Sequence, residues 1–343
     1  MNDIRMIRRM VPGAAVVLLV CVAVSFNVAS QEKSALAVTV PALPPLPPDH
    51  QLGLQQVRSD PHPEQLIRNV HYVASNERTL YWFKDTVADR GGIQIGVGAE
   101  QNYLLAAWSK PDLVICMDFD QYIVELHEVY IMLFKRVANA DELIEWFSKA
   151  QVSKLNKLIS EEYPDQKKRK ALTRVVRNSG QEVHRHLTRS RQRFLKAGVA
   201  TWLTDEAQFQ TILDLAKADR IYPVRGDFTG SNTMQDLGAF ARKFGYVVRV
   251  FYLSNAEYYF KYTDGSYRDN AAALPFDGRS IVLHTHPTKT DYRYYHHTGE
   301  NYQEWAAHPK VAWFRTVKLH AVELDKPLFY EIRKSPEEAF KEQ

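Results

Sequence analysis

The chain has two cysteines in 343 residues, and one of them, Cys21, lies in an N-terminal apolar run. Without that run Cys116 stands alone, so no internal disulfide can form. Cys116 falls in an apolar stretch that reads as a buried strand, the setting of an inert core thiol. No internal repeat is found. The chain also lacks the polar bias of a disordered protein: 45% of its residues are hydrophobic and 12% aromatic, as in globular proteins. Its length admits one large domain or two small ones.

Long apolar runs are scarce as well. The one from Met10 to Phe26 is 17 residues long, near the lower limit for a membrane span. Arg5, Arg8 and Arg9 precede it and Val28-Ala29-Ser30 follows, the three parts of a secretory signal. Residues 1–30 are therefore expected to be a cleaved export signal or an N-terminal anchor. The upstream arginines put the body outside the cytoplasm, in the periplasm or tethered to the inner membrane. PALPPLPPDH at 41–50 marks residues 31–62 as a proline-rich spacer. The body is expected over 63–335, opening with helices that end at Gly91-Gly92, and 336–343 is a tail.

Charge is unevenly spread. Residues 166–196 hold eleven Lys and Arg against one acid, Glu182, a net of +10 where the whole chain carries +4. This stretch sits in a helical insertion at about 138–220. Phe194 is its one aromatic residue, so stacking on nucleic-acid bases is not indicated. A solvated helix face, contact with an anionic membrane surface and, as the least favoured, contact with nucleic-acid phosphates are the readings it leaves.

The most informative stretch is 92–120, GIQIGVGAEQNYLLAAWSKPDLVICMDFD. It reads as strand, glycine turn, helix, strand and acidic tip. Gly96 and Gly98 allow a tight turn, and Asp118 follows Gly96 by 22 residues. A Rossmann-type unit places a carboxylate on a ribose hydroxyl at about that spacing. The turn and helix start would hold the polar part of a nucleoside ligand and Asp118 its sugar. The third glycine of the usual pattern is absent. Glu100 beside the loop repels a pyrophosphate and suits an ammonium or sulfonium ligand such as S-adenosylmethionine (SAM) better than NAD. The alternative is a glycine turn that only packs a helix on a sheet.

Strands alternating with helices predict an α/β fold with a mostly parallel sheet. Residues 317–324 and 328–332 are expected as a closing antiparallel hairpin. Gly96–Asn102, Asp118–Asp120, Gly226–Phe228 and Ser254–Glu257 all fall at the carboxyl ends of strands, where such sheets bind ligands.

The ordered set ASNERTLYWF, IGVGAEQNY, an acid ending the next strand, VRGDF and VFYLSNAEYY resembles a group of bacterial proteins similar to class I SAM-dependent methyltransferases. The match covers about 74–135 and 218–262. The resemblance implies a Rossmann-like methyltransferase-type fold. It implies Gly96 and Gly98 against the methionine part of SAM, with Glu100 and Asn102 in the same turn. Asp118 would take the ribose hydroxyls, and Asp227 and the Phe228 amide the adenine. Asn255 and Glu257 would lie where methyltransferases hold the methyl acceptor, and Glu257 is the one base it suggests. Where that group has arginines after the acid, this chain reads Asp118-Phe119-Asp120-Gln121. Two further readings stand beside methyl transfer. One is a non-catalytic scaffold on the same fold at the cell envelope. The other is a zinc hydrolase using His284 and His286, although at the spacing where a metal carboxylate is needed the chain has His297.

Overall fold

The computed structural model describes residues 43–341, so the expected export signal lies outside the described residues. The sheet is built from β1 (Ile93–Gly96), β2 (Leu113–Asp118), β3 (Ile221–Arg225), β4 (Val248–Ser254), β5 (Ile281–Pro287), β6 (Tyr292–Thr298), β7 (Ala321–Glu323) and β8 (Phe329–Ile332). Its eight strands run in the order β3-β2-β1-β4-β5-β6-β8-β7. The first five are mutually parallel, in the 3-2-1-4-5 order of a Rossmann-like sheet. β6 turns antiparallel to β5, and β7 and β8 form the expected closing hairpin.

The helices that matter are α1 (Pro48–Gln55), α2 (Lys84–Val87), α3 (Gln101–Ser109), α4 (Gln121–Phe134), α5 (Ala140–Trp146), α6 (Val152–Glu162), α7 (Gln166–Ala197), α8 (Glu206–Lys217), α9 (Thr233–Lys243), α10 (Tyr267–Ala273) and α11 (Gly299–Ala307). Side chains alternate across each strand, and two cores result. Val114, Cys116, Val250, Tyr252 and Leu283 face one core with α3, α4, α7 and α8. Ile93, Ile95, Ile115, Met117 and Phe251 face the other with α1, α9 and α11. Helices on both faces explain why β1 and β2 are buried along their whole length and read as continuous apolar runs.

Two expectations are corrected. Residues 43–62 are part of the body, not a spacer. Pro48 opens α1, Leu46 and Leu54 are buried, and the Leu46 amide donates to the Ala218 carbonyl. Proline is well placed at a helix start because its missing N–H needs no partner there. Residues 63–92 are not mainly helical: short turns at 67–69 and 80–83 precede the single turn of α2, and 70–79 is irregular. The Tyr- and His-rich stretch 292–298 is strand β6. Five of its seven residues are buried, so the polar–apolar alternation of a half-exposed strand is missing.

Candidate functional site

The strand order reverses between β1 and β4, the point where open α/β sheets bind ligands. The glycine turn after β1 is held from inside. The Gly98 amide donates to Asp118 Oδ2 at 3.0 Å, and the Asp120 amide to Asp118 Oδ1 at 2.9 Å. Gly98 has φ +80°, a left-handed conformation suited to glycine. A Cβ on Gly96 would stand 2.2 Å from Asn102 Oδ1, so glycine there makes room for the asparagine. Asn102 Nδ2 donates to the carbonyls of Val97, Gly98 and Ala99. His127, on α4, donates through Nε2 to the Gly98 carbonyl at 2.8 Å and faces the Tyr103 hydroxyl with Nδ1. Burial pushes its imidazole down to about 4, so it is neutral. Burial also pushes the Asp118 carboxyl up to about 7. A carboxylate has about four acceptor positions, and two on Asp118 are taken.

Glu100, at the start of α3, is buried and paired with His186 of the basic helix α7. Burial alone would raise its carboxyl. The His186 charge and hydrogen bonds outweigh that and hold it below the ordinary carboxylate range. For His186 burial acts downward, and Glu100 outweighs it, raising the imidazole. The Ser75 amide also donates to Glu100 at 3.3 Å.

Ser75 belongs to a segment, 71–79, that crosses the carboxyl edge of the sheet. His71 meets Asp120 at 2.6 Å. Glu77 accepts from the hydroxyls of Tyr252, Ser254 and Thr285, from the ends of β4 and β5. Burial raises its carboxyl above the usual range. The chain's own Glu77 thus sits over the crossover crevice. It lies within the ASNERTLYWF string, and its being the one acid of that string is the signal that could have marked it.

At the end of β3, Asp227 Oδ1 accepts from the amide and hydroxyl of Thr229. Oδ2 has no hydrogen-bond partner among the described residues. The Asp227 amide donates to Asp60, which also accepts from the Asn232 amide and is 1% exposed. Asp60 was hidden from sequence reasoning because it lay in the expected spacer. Phe228 is buried against Phe251, and Asn255 is half-buried.

Glu257 is buried, which is a different setting from the one expected of a base at an acceptor site. It accepts from Tyr262 at 2.7 Å and from Tyr267, and pairs with His284. His284 Nε2 meets His297 Nε2 at 2.8 Å, and His297 Nδ1 meets Asn301 Oδ1 at 3.0 Å. Asn301 Nδ2 donates to the Lys334 carbonyl, which fixes its orientation, so His297 Nδ1 carries the proton. Burial holds His297 neutral. Its Nε2 must therefore accept, and His284 donates from both nitrogens, to His297 and to Glu257. His286 Nε2 instead faces Lys318 Nζ at 2.7 Å. With these partners, neither histidine offers a lone pair for a shared metal ion.

An open cleft of about 610 Å³ lies beside Asp120 and Gln121, just past β2, and Arg225 at the end of β3, within the size range of small-molecule sites. His62, His71, Asp120, Tyr122, Lys168 and Arg225 are among its walls. His71 stacks on Tyr122 with ring centres 4.1 Å apart. Arg225 reaches Gln121 at 3.1 Å and His62 at 2.7 Å.

The fold and this edge define a Rossmann-like α/β protein. The chain belongs to the family described as Domain of unknown function (DUF7790), whose model matches residues 72–326. No curated protein matches it. The solved structure of the rRNA methyltransferase aviRa from Streptomyces viridochromogenes is similar over 67% of this chain and 77% of its own, at 15% identity and a TM-score of 0.25. That level is too low to bear on function.

Proposed function

We propose that the chain binds SAM or a related nucleoside at the carboxyl edge of the sheet. One observation carries the reading: a buried acid, Asp118, closes β2 and accepts from the Gly98 amide of the glycine turn, and Asp120, two residues on, lines a ligand-sized cleft. The local chemistry fits such a group. Gln101 Oε1, beside Gly98, is a buried acceptor without a partner among the described residues, and it suits an ammonium donor. Asp118 has acceptor positions left for ribose hydroxyls, and Asp227 Oδ2 is free for an amino group. When bound, SAM would supply an electrophilic methyl group on sulfur. The chain's part is to orient it and exclude water. The enclosed position of Glu257 favours one second reading, a nucleoside-binding protein that does not transfer the methyl.

Calorimetric titration with SAM and S-adenosylhomocysteine, beside the Asp118→Ala variant, tests the proposal. Micromolar affinity, on the order of −8 kcal/mol, is expected for the wild type and should vanish in the variant. No binding by a folded wild type would refute it.

A further inference from the structure

The net charge of +10 in residues 166–196 becomes a surface because those residues form one helix. α7 is 32 residues long. Leu172, Val176, Val183, Leu187 and Phe194 recur along its buried side. Lys170, Arg174, Arg177, Arg185, Arg189 and Lys196 follow each other at helical spacings on the exposed side. At 1.5 Å per residue this row is about 39 Å long.

Three other cations of the helix make contacts within the chain. Lys168 pairs with Glu128 and Arg191 with Asp141, and Arg169 donates to the carbonyls of Tyr163 and Pro164. In the exposed row only Arg174 meets a carboxylate, Glu125 at 3.3 Å. The other five have none within ion-pair distance among the described residues. A row of uncompensated cations that long raises the local potential toward an extended anionic partner.

We infer that this face of α7 docks on an anionic phospholipid surface. Charge complementarity supports it, and so does composition. The exposed row has no aromatic side chain on which bases could stack, and its exposed apolar neighbour is Leu195, 60% exposed. The sequence adds a second membrane signal in the apolar run 10–26. One short apolar anchor is weak, and stable attachment takes a second element such as a basic patch.

Vesicle co-sedimentation of the full chain tests this. Neutral phosphatidylcholine vesicles would be compared with vesicles in which about one third of the lipid is phosphatidylglycerol. The apolar run acts alike on both, so the difference reports the helix. Wild type should bind the anionic vesicles at least about tenfold more tightly, with the gap closing in high salt. The variant Arg177→Glu/Arg185→Glu/Arg189→Glu changes only exposed positions. With an unchanged circular dichroism spectrum, it should lose the preference. Absence of a lipid-charge preference in wild type, or its survival in the variant, overturns the inference. Tighter binding to duplex DNA than to the anionic vesicles also overturns it and assigns the row to nucleic acid.

Discussion

Glu100 illustrates what one residue can and cannot disclose. Its place after the glycine turn was legible, and its meaning for a pyrophosphate follows from charge alone. Its partner His186 lies 86 residues away, and no local pattern links them. The pair makes a pH prediction. His186 has a folded value above 6.5, so its contribution is complete below 6.5 and is lost as pH rises through the raised value. Glu100 has a folded value below 4.5, so its contribution is present above 4.5 and is lost as pH falls through the lowered value. Both are complete between 4.5 and 6.5. Removing one partner of a buried pair costs about 3 kcal/mol. His186→Gln should therefore cost about that near pH 6 and less at a pH above the raised imidazole value, where the wild type loses the imidazolium. Urea unfolding at both pH values checks this; equal losses would show that the pair contributes through shape rather than charge.

Elements were legible where period and burial agree. The β1–α3–β2 unit and α4 follow from continuous apolar strands and a clean helical stripe. β6 did not, because tyrosine and histidine are buried on both of its faces. α1 did not either, because a cluster of prolines suggests an extended chain, while one proline at a helix start favours the helix. Its burial has a consequence for truncation. Leu46, Leu54 and Val57 are at most 8% exposed, and each such side chain is worth roughly 1.5–3 kcal/mol when fully buried. Asp60 adds hydrogen bonds to two loop amides. A chain beginning at residue 63, where the sequence suggested the body starts, loses all of these. Its melting temperature should fall by more than about 10 °C relative to a chain beginning at residue 43. Differential scanning calorimetry of the two would decide, and matching transitions would restore the spacer reading.

At the scale of the whole molecule, the sheet joins a parallel half to a mixed one, in which β6 and β8 run parallel and β7 antiparallel to β8, and the seam lies between β5 and β6. The parallel half was legible because each strand–helix unit is read locally. The seam was not, because it depends on side chains brought together from four separate places. Glu257 follows β4, His284 is on β5, His297 on β6 and Asn301 on α11. This buried chain of hydrogen bonds gives Glu257 a bracing role. Glu257→Gln should then cost about 3 kcal/mol near neutral pH, because it leaves buried His284 without its carboxylate partner. The sign of the pH dependence follows from the carboxyl. For Glu257, burial acts upward and is outweighed by His284, so its folded value lies below 4.5. Its contribution is present above 4.5 and fades as pH falls through the lowered value. The stability gap between wild type and variant should close in acid. Nucleoside affinity should change little, since the carboxylate is enclosed rather than facing the cleft. Unfolding measured from neutral to acidic pH, with calorimetric titration of the same two proteins, separates the roles. A variant that keeps its stability but loses a methyl-transfer activity would return Glu257 to the position of a base.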